Sequence, residues 1–104
     1  MGDMIFSSVI DRKTALVLDQ KDNVGVALAD LAIGETCTVI DDTGRESAVV
    51  VSENIPFGHK FALHDFVKDE GVIKYGEEIG RMKDVLSKGG WIHNHNMYCD
   101  RGMK

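Results

Sequence analysis

The chain has 104 residues, of which 43% are hydrophobic and 28% charged, and this composition indicates one folded domain with a modest core. Its net charge of −5 arises in the first half, where nine acids face four bases through Ser52, whereas the second half holds eight of each and all four histidines. This balance argues against a nucleic-acid partner, because phosphate binding needs a basic footprint. No apolar run approaches the roughly 20 residues that span a bilayer.

The amino-terminal residues carry neither the basic region nor the apolar stretch of a secretory signal, and Phe6 stands where a myristoylation motif needs Ser or Thr. We therefore expect a cytoplasmic protein without a membrane partner. In that compartment Cys37 and Cys99, which form no Cys-x-x-Cys pair, are expected to be reduced thiols. The apolar run around Cys37 places it in the core, and Cys99 is expected near the surface.

Period-two alternation and β-branched runs, separated by glycine turns, predict short strands along most of the chain. The turn signal at 41–44 joins two of these strands into a hairpin. Residues 24–29 fit either a strand or one helical turn, and Gly25 with two valines favours the strand. The predicted strands are 14–18, 24–29, 36–40, 45–52, 60–66, 72–75 and 91–96, with a short run beginning at 79.

The best helix candidate is the segment 82–88, which would end at Gly89 and Gly90. Residues 97–104 look like a tail, and no internal repeat or low-complexity tract is apparent. Seven or eight short strands with at most one or two helical turns predict an all-β, barrel-like or sandwich-like domain.

His93 and His95 are two residues apart, so on a strand they project from the same face, in line with Trp91. Two imidazoles so placed can hold an anion, a substrate hydroxyl or a metal ion. The spacing alone favours two surface histidines, then substrate contact. A metal site ranks last, because no third ligand is in view.

A second candidate group, Gly58-His59-Lys60, directly follows the only proline, Pro56. A glycine there lets the backbone approach a ligand, and the adjacent imidazole and ammonium add a titratable group and a positive charge. The alternative is a loop glycine beside two solvated side chains.

Four further residues of the second half have ordinary structural interpretations. His64 is expected to be a surface or cross-strand residue rather than a ligand. Lys74 points to solvent or to a site, and Tyr75 and Trp91 are expected to be core residues rather than binding platforms. No nucleophile motif or phosphate-binding glycine loop is present.

Blocks of these residues resemble the amino-terminal SAF domain of the altronate dehydratase family, in that family's order and spacing. The resemblance covers residues 13–96 and implies a single β-clip domain over 1–104, with 97–104 as the tail. The matching blocks are 22–24 with 26–28, Ile55-Pro56-Phe57-Gly58-His59-Lys60 with Ala62-Leu63, 72–77 with 79–80, and Trp91-Ile92-His93 with His95-Asn96. Asp69, Met82 and Gly90 depart from the family pattern, which puts loop shape in question more than chemistry.

The resemblance implies a lyase that removes water from a sugar acid, or sulfite from sulfolactate, beside a large catalytic subunit. That assembled enzyme commonly uses a divalent metal such as iron. Carried over by position, the catalytic candidates are His59, His93 and His95, and the substrate-binding candidates are Gly58, Lys60, Lys74 and Asn96. His93 and His95 would be the metal ligands if this chain supplies any.

The end of the chain soon after Asn96 favours a separate small subunit over a domain cut from a longer protein, and a homo-oligomer is compatible with either. Two rival functions remain open at this point. One is a stand-alone SAF-type binding module, and the other is a small metal-binding protein that uses the histidines.

Overall fold

A computed structural model describes residues 12–99, and within that range the chain forms nine short strands and no helix. The all-β prediction is confirmed, and the segment 24–29 contains a strand, which covers Val24–Ala27. The strands are β1 (Thr14–Leu16), β2 (Val24–Ala27), β3 (Thr36–Ile40), β4 (Glu46–Val50), β5 (Lys60–Ala62), β6 (Gly71–Lys74), β7 (Glu77–Met82), β8 (Trp91–Ile92) and β9 (Met97–Tyr98).

The strands form two sheets, one of six strands in the order β4-β3-β1-β2-β5-β8 and one of three in the order β6-β7-β9. All neighbours are antiparallel except β1 and β3. The predicted hairpin is β3–β4, whose turn is held by Asp41 Oδ1, which accepts hydrogen bonds from the backbone N–H groups of Thr43 and Arg45.

Four nine-residue segments share one backbone pattern, which corrects the expectation that the chain has no internal repeat. They are 27–35, 51–59, 62–70 and 82–90, and each starts on a buried apolar residue. The fifth residue forms an isolated β-bridge, and the eighth adopts a left-handed backbone in every segment. The fifth residues are Leu31, Ile55, Phe66 and Leu86, and the eighth are Gly34, Gly58, Asp69 and Gly89.

The segments pair two by two, and each pair closes with the same six backbone hydrogen bonds. In the first loop pair (27–35 with 51–59), Leu31 and Ile55 exchange both bonds at 2.8 Å. Phe66 and Leu86 do the same in the second loop pair (62–70 with 82–90), at 2.8 and 3.1 Å. Because a left-handed backbone is needed at the eighth position, Asp69 keeps the turn that glycine makes elsewhere.

Two cores lie on opposite faces of β5, because side chains alternate along a strand. Phe61 points into the first core and Ala62 into the second, and both are fully buried. The first core is Ala15, Ala27, Leu31, Cys37, Val39, Val49, Val51, Ile55 and Phe61, and the second is Val24, Ala62, Phe66, Val72, Met82 and Ile92. Cys37 is a buried free thiol, as expected, and Cys99 is half-buried.

Three expectations about the carboxyl-terminal part were wrong. The predicted helix at 82–88 is absent because its backbone groups are used in the second loop pair, where Leu86 bonds Phe66. The last strand covers only Trp91–Ile92 rather than 91–96, because residues 93–96 form a turn. Residues 97–98 of the supposed tail form β9, paired with β7, and 100–104 lie outside the described range.

The β6–β7 hairpin turns through Tyr75 and Gly76, whose φ values are 57° and 74°. Two positive φ values in a two-residue loop define a type I′ turn. Tyr75 is 68% exposed, so the expectation of a core residue was wrong. Within residues 12–99, no helix has the length and apolar character needed to cross a membrane.

Candidate functional site

The register of β5 against β8 brings distant residues of the two strands together. Lys60 lies opposite Ile92 and Phe61 opposite Trp91. Continuing this register by one residue places His59 opposite His93, and their ring centroids are 4.9 Å apart. Two histidines separated by 34 positions in the sequence are thus neighbours at the edge of the six-stranded sheet.

Trp91 is the surface on which three imidazoles gather. Its ring lies 5.5 Å from that of His59 and 5.0 Å from that of His95, and it stacks on His93 at 5.8 Å with planes only 7° apart. Trp91 also packs against the first core, so one side of the indole is anchored. It was expected to be a core residue, and it is half-buried and serves as a platform as well.

A turn rather than a strand presents His93 and His95, and the Asn96 side chain closes it. The Asn96 amide accepts a hydrogen bond from His93 N–H at 2.9 Å and donates one to the Trp91 carbonyl at 2.8 Å. Both ends of the amide therefore have backbone partners, and Asn96 shapes the turn. Its contact with substrate stays a prediction. His93 is half-buried and His95 exposed.

His59 occupies the ninth position of its segment, where two other segments carry a glutamate. Glu35 Oε1 accepts the Ala32 N–H at 2.6 Å, and Glu70 Oε1 accepts the Val67 N–H at 3.0 Å. Each glutamate thus caps the N–H three residues before it. The equivalent residue before His59 is Pro56, which has no N–H to cap.

The turn itself is unchanged at His59. Gly58 has φ 82°, its N–H bonds the Ala27 carbonyl at 2.8 Å, and the space beside its Cα is open. Because Gly58 N–H already has a partner, Gly58 contributes the turn that sets the direction of His59. Whether it also contacts substrate stays a prediction.

The electrostatic surroundings of this group are cationic. The pKa of His93 lies below its usual value because of partial desolvation, then because of the charges of His59, Lys60 and His95. The pKa of Lys60 is also lowered, first by burial and then by the charge of Lys74. Among the described residues, the charges that shift these two groups are all positive, so an anion placed between them would relieve repulsion.

Lys74 therefore lies within electrostatic reach of Lys60, at the end of β6, with its Nζ 6.0 Å from the Tyr75 ring centroid. His64 is separate: its Nε2 lies 2.7 Å from Glu70 Oε2, an exposed hydrogen-bond contact in the second loop pair. This agrees with the expected surface role of His64.

The histidine group does not form a complete metal site. Within residues 12–99, no set of three or more His, Cys, Asp or Glu side chains is arranged to hold a metal ion. His59 Nδ1 is already 3.2 Å from the Trp91 indole nitrogen, which donates to it. The side chains described over residues 12–99 therefore do not by themselves make up a divalent-metal site.

Sequence reasoning ranked Trp91 as a core residue above a platform, and it did not connect Pro56, which has no N–H, with the position of the His59 side chain. The signal for Pro56 was present in the sequence. Aligning the four segments on their apolar and glycine positions sets Pro56 against Ala32 and Val67, and His59 against Glu35 and Glu70. The role of Trp91 depends on a long-range pairing that the local pattern does not contain.

The fold and this group of residues define a small all-β domain that carries three histidines beside Lys60 and Lys74 at a sheet edge. Residues 13–100 match the family model described as "Altronate/galactarate dehydratase SAF domain". The chain belongs to this SAF-domain family, which confirms the resemblance read from the sequence.

Curated relatives fall into two kinds. The chain is 44% identical to altronate dehydratase of Escherichia coli (strain K12) over 75 residues, 72% of this chain and 14% of that protein. It is 36% identical to the (2R)-sulfolactate sulfo-lyase subunit alpha of Chromohalobacter salexigens over 88 residues, 83% of this chain and 94% of that subunit. The subunit alpha of Paracoccus pantotrophus is 38% identical over 65 residues, 62% of this chain and 96% of that subunit. The chain thus corresponds to a small part of the dehydratase and to nearly a whole alpha subunit.

Proposed function

We propose that this chain is the small component of a lyase that eliminates water from a sugar acid, or sulfite from sulfolactate, together with a large catalytic subunit. The observation that carries the proposal is the gathering of His59, His93 and His95 on Trp91, beside Lys60. The two leaving groups correspond to the names of two relatives of this chain, a dehydratase for water and a sulfo-lyase for sulfite.

Such an elimination has three chemical requirements. A base removes the proton next to the carboxylate, positive groups stabilise the resulting enolate, and an acid assists the leaving group. His93 suits proton acceptance, because its lowered pKa favours the neutral imidazole near pH 7. Lys60 and Lys74 supply positive charge, which attracts a carboxylate and steers it toward the histidines.

A partner is part of the proposal because the site is open. His95 is exposed, and Phe57, next to Gly58, is 64% exposed. An elimination through an enolate is favoured where water is excluded, so a second polypeptide would cover the rings. We propose that this partner also holds any divalent metal, iron included, because the described residues offer no complete ligand set. We propose that the assembly works in the cytoplasm, as the sequence led us to expect.

The test is reconstitution with a protein of the same organism that resembles the part of altronate dehydratase this chain does not cover. Each protein alone and the mixture would be assayed with altronate, galactarate and (2R)-sulfolactate. We expect turnover of one acid that requires both proteins. Full activity of the large protein alone, or no elimination from any of the three acids, would overturn the proposal.

A further inference from the structure

The hydrogen bond between Trp91 and His59 sets which nitrogen of His59 carries the proton. Trp91 Nε1 lies 3.2 Å from His59 Nδ1. An indole N–H can only donate a hydrogen bond, so Nδ1 must accept it with a lone pair. The proton of the neutral imidazole is then on Nε2, the ring nitrogen remote from Trp91. His59 therefore presents an N–H donor at that end.

The segment comparison explains why the His59 side chain is available for this bond. At the same position Glu35 and Glu70 turn back to cap a backbone N–H three residues earlier. Pro56 removes that N–H before His59. The His59 side chain therefore has no local backbone N–H to bond, and it bonds Trp91 on β8 instead.

The neighbouring ring completes the argument. The His93 ring centroid lies 4.9 Å from that of His59, and its plane is nearly parallel to the Trp91 ring. His93 has its backbone N–H fixed by Asn96, whereas no indole bond fixes its tautomer in the described geometry. Two neighbouring histidines are thus held differently in the described geometry: a side-chain hydrogen bond fixes the His59 ring as a donor, whereas the Asn96 bond fixes the backbone of His93.

We propose that Trp91 and Pro56 are positioning residues that hold His59 in its Nε2–H tautomer, so that Nε2 donates a hydrogen bond to a carboxylate or enolate oxygen of a hydroxy acid. The oxygen acceptor rests on the proposed function, whereas the tautomer rests on the geometry alone. A fixed donor aimed at developing negative charge stabilises an enolate more than a donor that must reorient.

The experiment is nitrogen-15 NMR of the full chain above neutral pH, with long-range spectra that resolve both ring nitrogens of each histidine. We expect His59 to show a protonated Nε2 and an unprotonated Nδ1 that is coupled through the hydrogen bond to Trp91 Nε1. In Trp91→Phe, which keeps an aromatic ring, a detectable fraction of His59 should carry its proton on Nδ1.

His64 provides an internal control in the same spectra, since its Nε2 faces Glu70 and it does not depend on Trp91. Its signals should be unchanged in Trp91→Phe. A His59 protonated on Nδ1 in the wild-type chain, or an identical His59 tautomer in both proteins, would overturn the proposal. If Trp91→Phe does not fold, the wild-type spectrum still tests the proposal, because a proton on His59 Nδ1, or no coupling between Trp91 Nε1 and His59 Nδ1, would overturn it.

These spectra need neither partner nor substrate, so failure of the proposed function is read separately, from the reconstitution assay. The acceptor is tested in the assembled enzyme. There Trp91→Phe should lower kcat more than it raises KM, because the donor acts on the enolate. An unchanged kcat would overturn the role of His59 as a donor to the reacting oxygen.

Discussion

Three turns share one backbone shape but differ in what the side chain of their ninth residue does. At Glu35 and Glu70 the side chain caps the turn's own N–H, and the residue is structural. At His59 the capped N–H is missing because of Pro56, and the side chain joins a distant strand. This difference shows that replacing the N–H at the sixth position by proline releases the ninth side chain from capping, while the backbone of the turn stays the same.

The fourth segment shows a further variation. Gly90 stands at the ninth position, and a Cβ added there would lie 2.5 Å from Leu86 Cδ1 and 3.0 Å from Glu53 Oε2. Glu53 Oε2 also accepts the Trp91 N–H at 3.1 Å. A side chain at position 90 therefore has no room unless Leu86 moves, and Glu53 approaches the same place from another loop.

The largest expected effect on stability concerns Trp91, whose ring contacts His59. Trp91→Ala should destabilise the chain by about 2–4 kcal/mol, because a large ring packed against the first core is removed. Tyr75→Ala is the matched control, since Tyr75 is 68% exposed and should change stability by less than about 0.5 kcal/mol. Urea denaturation measures both, and similar losses would show that Trp91 is not anchored.

The comparison of the turns predicts a coupling between positions 56 and 59. His59→Glu alone should gain nothing, because Pro56 offers no N–H to the carboxylate. In Pro56→Ala the N–H returns, and the double variant should gain about 1 kcal/mol beyond the sum of the single changes. Denaturant midpoints of the four proteins measure this coupling. Additive effects would mean that the missing N–H is not what separates His59 from the glutamates.

The pH dependence of stability tests whether the Glu35 carboxylate caps its turn. Its pKa is lowered, first by the Ala32 N–H and then by Lys13. A carboxyl whose folded pKa is lowered contributes stability above its ordinary value of 4.5, and this contribution is lost as the pH falls toward the folded value. Glu35→Gln should therefore flatten the acid side of the stability curve.

Ala32→Pro is the matched variant, because it copies Pro56 into an equivalent turn and leaves Glu35 in place. It should remove most of the same acid dependence, since the Ala32 N–H is the main cause of the shift. Thermal unfolding of both variants between about pH 3 and pH 6, a range that brackets the ordinary glutamate pKa, would measure this dependence. An unaltered acid limb in Ala32→Pro would contradict the capping role.

The smallest predicted effect on stability concerns His93. Its pKa is lowered by unfavourable surroundings, whereas the pKa of Glu35 is lowered mainly by favourable hydrogen bonds. The folded pKa of His93 is below the ordinary 6.5, so the unfolded chain takes up this proton first as the pH falls. Stability should therefore decline as the pH drops below about 6.5. The facing charges are His59, Lys60 and His95, while Glu53 bonds the nearby Trp91 N–H.

His93→Gln should remove this part of the pH dependence, and His59→Gln should reduce it by removing one facing charge. The measurement is the melting temperature of each protein as the pH is lowered from above 6.5 to below it. A decline of equal slope in His93→Gln would assign the effect to another group.

Much of the fold was predictable because it depends on local patterns. The hairpin β3–β4 follows from two β-branched runs around Asp41-Asp42-Thr43-Gly44, and β2 was separable from a helix by Gly25 and its valines. The helix expected at 82–88 failed because pairing with the distant Phe66 outweighed local preference. The repeat escaped notice because its four copies share only a few positions in nine.

The site was predictable in its residues but not in its geometry. The alternation that placed His93 and His95 on one strand face was wrong, yet both rings lie against Trp91 because Asn96 folds the turn. The approach of His59 depends on the β5–β8 register, which pairs residues some 30 positions apart. No local pattern contains such a register.

The most direct test of the proposed histidine site uses this chain reconstituted with the proposed large subunit and carrying single histidine variants. His59→Ala and His93→Ala should each lower turnover by about 100-fold or more, the scale of a lost proton-transfer or oxyanion-stabilising group. His64→Ala, in the second loop pair, should retain wild-type turnover. Wild-type turnover in His59→Ala and His93→Ala, or an equal loss in all three variants, would contradict the account.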